Sequence, residues 1–268
     1  MKRVTLSHLK NTAVIVSPNR SPLRWLAIPY AAWAGITFLM LALGVLILIL
    51  PIPWQGLRRR MVQAAARLAL WCGGMRVSVQ QAAQLPATPC VVVANHASYL
   101  DGIVLFAALP PVFGFVIKRE MSRVPLANLL LRRIGSHFVD RGSAHRSARD
   151  ARKLFKRAQA GGAMAFFPEG TFQRAPGLAR FRSGAFVVAA NAQLPIVPVA
   201  IRGTRSALPA GARLPRPGRI EVELAPPQPA PASTEPAVIE AAVAAARAAI
   251  LARLPEPDLQ AAMAKTGG

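Results

Sequence analysis

Acidic residues are scarce in this chain: 11 Asp and Glu stand against 33 Lys and Arg, a formal net charge of +22 over 268 residues. Such an imbalance excludes an acidic binding surface and favours polyanionic partners, whether nucleic acid, anionic lipid or an acidic protein. Aromatic residues are also few, at 6%. They are not interleaved with the basic ones, which argues against nucleic acid, because bases need aromatic platforms to stack on. Only two cysteines occur, Cys72 and Cys90. That rules out a disulfide framework and a cysteine-built metal centre, and no metal is expected. Internal repeats are lacking, as is any linker that would separate two catalytic domains. What is abundant is apolar residue, 53% of the chain. That suffices for one sizeable packed core with an appendage.

The appendage is near the N-terminus. Residues Leu26 to Leu50 carry no charge over 25 positions. As a helix they extend roughly 37 Å, enough to cross a hydrocarbon core of about 30 Å. A cleaved signal peptide does not fit, since the run is too long and ends in Pro51-Ile52-Pro53-Trp54 with no small-residue cleavage site. Lys2, Arg3, Lys10, Arg20 and Arg24 precede the run, and Arg58, Arg59 and Arg60 follow it. Basic residues favour the cytoplasmic side. A single crossing carries one basic cluster to the wrong side; a hairpin in one leaflet carries neither. Residues 55–72 supply a second arm, with Leu57, Met61, Ala64, Ala65, Leu68 and Trp71 at helical spacing. Pro51 and Pro53 break the chain between the arms. Both topologies stand at this point.

Beyond residue 73 short apolar runs alternate with helical patterns. Strands are expected at Val91–Ala94, Phe113–Ile117, Ser136–Asp140, Ala163–Phe167, Ile196–Ile201 and Arg219–Leu224. Helices are expected near 98–109, 125–134, 143–160 and 183–192. This alternation predicts an α/β domain, a single largely parallel sheet flanked by helices. The chain then divides into a basic segment 1–25, a membrane anchor 26–73, an α/β domain 74–225, and a proline-rich linker with a C-terminal helix at 226–268.

Chemistry is expected at the carboxyl ends of the strands. The stretch VVVANHASYLDG, residues 91–102, runs from a strand into a polar turn holding Asn95, His96, Ser98 and Asp101. With His96 in the turn and Asp101 in the first helical turn, the carboxylate can fold back on the imidazole. It then fixes the tautomer and frees the other nitrogen for a proton. The alternative is a plain helix N-terminus with Asp101 complementing the dipole. Ser98 lies outside any G-x-S-x-G elbow and reads as a cap or support. AFFPEGTF, residues 165–172, is a second strand end whose glycine brings backbone N–H groups near a ligand. GSHFVDRG, residues 135–142, places Arg141 after a third, and PIVPVAIRGT, residues 195–204, is a buried strand with Pro198 and Arg202 in it.

In this order the four segments resemble the 1-acylglycerol-3-phosphate acyltransferase (PlsC-like) family, over about residues 90–205. The resemblance implies that His96 takes the proton from a lyso-lipid hydroxyl and that Asp101 orients and stabilises it. Asn95 and Ser98 support the turn. Substrate binding is carried over to Lys118, Arg141, Glu169, Gly170, Thr171 and Arg182. The donor is implied to be acyl-CoA or acylated acyl carrier protein, with no further cofactor. The other partners are anionic membrane lipids and lysophosphatidic acid or another lyso-lipid, not nucleic acid. The implied place is the cytoplasmic membrane, with the catalytic domain facing the cytoplasm. One departure is notable: the family loop continues E-G-T-R or E-G-T-S, and here Phe172 holds that position. This leaves room for a different head group, such as a lyso-ornithine lipid. A non-catalytic basic membrane adaptor is the reading from another class, and it has no use for His96 and Asp101 at a strand end.

Overall fold

A computed structural model describes residues 24–140, 144–172, 174–212 and 214–261, the side chains of 24–27 and 144–149 excepted. In chain order the elements are α1 (Arg24–Ile49), α2 (Gln55–Cys72), β1 (Met75–Gln80), β2 (Val91–Ala94), α3 (Leu100–Ala108), β3 (Gly114–Lys118), α4 (Pro125–Arg133), β4 (His137–Val139), α5 (Ala144–Gln159), β5 (Met164–Phe166), α6 (Gly184–Ala192), β6 (Ile196–Arg202), α7 (Thr204–Ala207), β7 (Gly218–Leu224) and α8 (Pro236–Leu251). The strands form one sheet in the order β1-β7-β6-β2-β5-β3-β4.

Five neighbours, β6, β2, β5, β3 and β4, run parallel. The last two strands depart from that pattern. β7 pairs antiparallel with β6, and β1 pairs parallel with β7. β1 was not expected as a strand. Its sequence MRVSVQ is mostly exposed on an edge, so the apolar alternation that marks a strand is weak there. β2 is the reverse case. All four of its residues are fully buried, because helices cover both faces of the parallel sheet. One face packs Val92, Ala94, Val197 and Ile201 with Val104 and Leu105 of α3. The other packs Val91, Val93, Met164 and Ile196 with Phe186 of α6 and Ile239, Ala246 and Ile250 of α8. The C-terminal helix is therefore part of the core. Cys90 lies at the base of β2 and is buried, which pushes its thiol up to about 12; it is a packing residue, not a nucleophile.

α1 is a helix long and apolar enough to cross a membrane, over Ile28–Ile49. It lies antiparallel along α2. At one end Trp33 Nε1 donates to Cys72 O at 3.3 Å and the Tyr30 hydroxyl donates to Gly73 O. At the other end Arg133 Nη1 donates to Leu50 O at 2.9 Å, and Ile49 is buried against Val62 and Ile134. The two helices thus form an antiparallel pair docked along the α/β domain. Its outer face leaves Ile28, Trp33, Ile36, Met40, Ile47, Trp54 and Trp71 exposed, an area too apolar for water.

The arginines of α2 differ from their expected role. Arg59 is only 5% exposed and donates to Ile134 O at 2.7 Å and Val112 O at 2.6 Å. Arg58 donates to Ile52 O and Arg133 O, and Arg67 to Ala107 O. Arg67, with Gln63 donating to Leu109 O, satisfies carbonyls at the C-terminal end of α3, and Arg58 and Arg59 satisfy those at the end of α4, which no helical N–H can reach. Of the Arg58–Arg60 triplet, only Arg60 is left exposed, so the flanking charge is smaller than the count implied. Arg59→Met should lower stability by about 2 kcal/mol, since two inward carbonyls lose their donor. Thermal melting in detergent checks this; an unchanged midpoint would show that water replaces the guanidinium.

Candidate active site

β2 ends at Ala94, and residues 95–98 turn before α3 begins. Asn95 is buried and pairs twice with Ile201: its Oδ1 accepts from the amide at 2.7 Å and its Nδ2 donates to the carbonyl at 2.9 Å. That side chain locks the end of β2 to β6. Ser98 Oγ donates to Leu208 O at 2.7 Å and accepts from Leu100 N at 3.2 Å, which anchors the start of the helix. It is a support, as its context indicated.

Asp101 is fully buried in the first turn of α3. Its Oδ2 accepts from Ala97 N at 2.6 Å and Ser98 N at 2.7 Å, and lies 2.9 Å from His96 Nδ1. The carboxylate thus caps the turn and meets the imidazole with the same oxygen. Sequence alone could not choose between a cap and a partner for the imidazole; the geometry places Asp101 as both. The bond assigns the proton of His96 to Nδ1 and makes Nε2 the basic nitrogen. The His96 side chain is 19% exposed, so the ring is largely held by its neighbours with part of it open to solvent.

Two rings press on the imidazole. Phe167 stacks on it with centroids 4.5 Å apart, and Phe172 meets it edge-on at 4.8 Å. Tyr99 in turn packs against Phe172 at 4.6 Å. Neither phenylalanine's contact was foreseen, although both flank the P-E-G-T turn. They fix the ring plane and limit water around it.

Glu169 requires a correction. It was assigned to substrate binding, but it is 9% exposed and both oxygens are engaged by the protein. Oε1 accepts from His96 N at 2.6 Å and Oε2 from Ala179 N at 2.9 Å. Burial pushes its carboxyl above the usual range, against the two amides that pull it down. Glu169 braces the His96 backbone and is not placed to hold a phosphate. Gly170 closes the same turn, its N donating to Phe167 O at 3.1 Å with φ +83°, a conformation that favours glycine. Thr171 is exposed at the mouth, and Arg182 is exposed with its amide tied to Pro168 O at 2.9 Å.

Because β2, β5, β3 and β4 are adjacent and parallel, His96, the 168–171 loop, Lys118 and Asp140 all end on one edge of the sheet. With strands about 4.8 Å apart, Lys118 ends a strand roughly 10 Å from β2. It is exposed and paired with Glu120 at 3.2 Å. Arg141 lies outside the described residues. Beside Asp140 the structure adds a cationic neighbour that the motifs did not flag. Arg119, held by Asp150 at 2.9 Å, lines a cavity of about 250 Å³ with Arg132, His137 and Lys153. Burial, and then the nearby Arg157 and Arg59, push the pKa of His137 down from its ordinary value. Among the described residues no group of three or more His, Cys, Asp or Glu side chains could hold a metal ion.

Comparison with known proteins agrees with this geometry. Residues 76–202 match the Acyltransferase family. The match lies wholly within the α/β domain. Over 138 residues the chain is 30% identical to a chloroplastic 1-acyl-sn-glycerol-3-phosphate acyltransferase of Brassica napus, covering 51% of this chain and 40% of the relative. It is 32% identical over 166 residues to a lyso-ornithine lipid O-acyltransferase of Pseudomonas aeruginosa, covering 58% of this chain and 63% of that one. The chain thus spans about 40 to 60% of the length of these curated relatives. The crystal structure of the 1-acyl-sn-glycerophosphate acyltransferase PlsC from Thermotoga maritima shares the fold, with a TM-score of 0.67 at 20% identity over 82% of this chain and 91% of that one. His96, Asp101, Glu169 and Lys118 all lie inside the matched range, while the α1–α2 hairpin and everything from Gly203 onward lie outside it.

Proposed function

We propose that this protein moves a fatty acyl group from an acyl thioester, acyl-CoA or acylated acyl carrier protein, to the free hydroxyl of 1-acylglycerol-3-phosphate, giving phosphatidic acid. One observation supports this most: a buried carboxylate on His96 Nδ1, at the end of β2 beside the carboxyl ends of β5, β3 and β4. In the reaction His96 Nε2 takes the hydroxyl proton as the oxygen attacks the thioester carbon. Asp101 holds the imidazolium while the tetrahedral carbon collapses and the carbon–sulfur bond breaks. The proton then passes from His96 to the departing thiolate. No acyl-enzyme is needed, and no cofactor beyond the donor.

The exposed apolar face of the hairpin would lie in one leaflet, on the cytoplasmic side of the cell membrane, where thioester donors are made. The surplus positive charge draws the domain to anionic lipid. The acceptor phosphate is assigned to Arg141, Arg119 and Lys118. Arg141→Ala should raise KM for the lyso-phospholipid about 10-fold or more and leave KM for the thioester within about twofold, since a phosphate contact is made before and during reaction. A rise in the thioester constant instead would move Arg141 to the donor site.

A second acceptor has support from Phe172. Its ring, set against His96 and Tyr99, occupies the position after E-G-T where the family carries Arg or Ser. This substitution removes a phosphate donor from the loop and suits acylation of another lyso-lipid, such as lyso-ornithine lipid. Purified protein in detergent, given labelled acyl thioester and a panel of lyso-lipids, decides between them. Product from lysophosphatidic acid supports the leading reading, product from lyso-ornithine lipid alone replaces it, and no product from any lyso-lipid rejects both.

A further inference from the structure

The Glu169 carboxylate that braces His96 is itself held by a chain of contacts that ends in the C-terminal segment. Its second oxygen binds Ala179 N at 2.9 Å, and Ala179 belongs to the strip Gly177-Leu178-Ala179. That strip is gripped along its whole length from the far end of the protein. Leu178 N donates to Pro257 O at 3.0 Å, and Leu178 O accepts from Leu259 N at 3.2 Å. Gly177 N donates to Glu256 Oε2 at 2.8 Å. Arg247 of α8 donates to Ala179 O at 3.1 Å and Leu178 O at 2.9 Å.

The gripping residues are fixed in their turn. Arg247 is 8% exposed and forms a two-pronged ion pair with Asp258, whose carboxyl it holds down at about 2. Glu256 is clamped by Arg205, with Nε to Oε1 at 2.8 Å. Leu178 is fully buried, and a side chain at Gly177 would collide with Leu259. No slack remains: the tail sits on the strip, the strip on Glu169, and Glu169 on the amide of the catalytic residue.

We propose that residues 256–259, together with Arg247, are a positioning element for the catalytic base, acting through the 177–179 strip and Glu169 on the backbone of His96. The tail reaches no reacting atom. It sets where the imidazole stands relative to the acceptor hydroxyl, and it does so from outside the segment that matches the family. The physical reason is economy of orientation. His96 sits in a turn, and a turn has no ladder of its own; Asp101 accepts from the His96 ring and from the amides of Ala97 and Ser98, and Glu169 accepts from the His96 amide. A displacement near 1 Å at such a residue costs roughly 100-fold in rate.

The inference rests on the acyltransferase reading, so its test has one arm that needs no turnover. Glu169→Gln, Asp258→Asn and the double variant are compared with the wild type in kcat, in both KM values, in melting temperature and in amide exchange of the 95–98 and 177–179 segments by mass spectrometry. A glutamine has one oxygen and so cannot accept at both ends as Glu169 does, and an asparagine cannot form the two-pronged pair with Arg247. Each single variant should lose roughly 10- to 100-fold in kcat with both KM values within about twofold. Exchange at 95–98 should rise in Asp258→Asn, although the substitution is on another element. The double variant should be no slower than the slower single, because both changes cut the same chain of contacts. Wild-type exchange at 95–98 in Asp258→Asn, or losses that multiply in the double variant, overturns the proposal. Should Asp258→Asn fail to fold, Glu256→Gln loosens the same strip at one amide, and the same two outcomes decide. If the wild type transfers no acyl group, the acyltransferase reading falls while the exchange result still decides the coupling.

Discussion

His96→Ala is expected to lower kcat by about 100- to 10,000-fold, the range for losing a general base, and to leave the protein folded. The ring is at a strand end with one edge open, so its removal creates no closed cavity in the core. The backbone of residue 96 keeps its bond to Glu169, because that bond uses the amide and not the side chain. Folding should therefore be preserved even though Phe167 and Phe172 lose the ring between them. Initial rates with saturating lyso-lipid and thioester, beside a melting curve, give the answer. A folded His96→Ala protein working near the wild-type rate removes His96 from the chemistry and with it the proposed mechanism.

Asp101→Asn should be the next most severe change, about 100-fold or more in kcat. Three donors now converge on Oδ2: the ring Nδ1–H and the amides of Ala97 and Ser98. An asparagine oxygen can take that place, but the NH2 group then replaces Oδ1, which is buried without a partner. Two N–H bonds would be stranded in a site with no acceptor, and the negative charge that stabilises the imidazolium would be gone. If the amide flips to relieve this, it points a donor at Nδ1–H and the ring turns. Either outcome damages orientation and charge together. Equal rates in Asp101→Asn and wild type would return Asp101 to a helix cap.

Much of the architecture was legible before the fold was known. The strands at 91–94, 196–202 and 218–224 announce themselves as apolar, β-branched runs, and the helices between them as 3.6-residue patterns. β1 was not legible, since an exposed edge strand has no buried face to write a pattern. Nor was the reversal of β7 relative to β6, because strand direction is set by the connection around α7 and not by residue type. At the site, His96 and Asp101 were visible as an odd pair in a chain poor in both residue types. The role of Glu169 was misread, because a strand-end carboxylate looks alike in sequence whether it meets a ligand or two backbone amides.

The sequence by itself determined that this is an α/β domain with an apolar, basic-flanked anchor and a histidine and a carboxylate at one strand end. Those properties are local: hydrophobic period, charge count and spacing along one stretch of chain. Only the tertiary structure decided the rest. It turned Arg59 and Arg67 inward to cap carbonyls, folded α1 back along α2, set Phe172 on the His96 ring and bound the tail at 256–259 to the strip that holds Glu169. Each of these joins residues far apart in the chain. Which buried donor meets which distant acceptor depends on how the layers pack, and no local pattern records that.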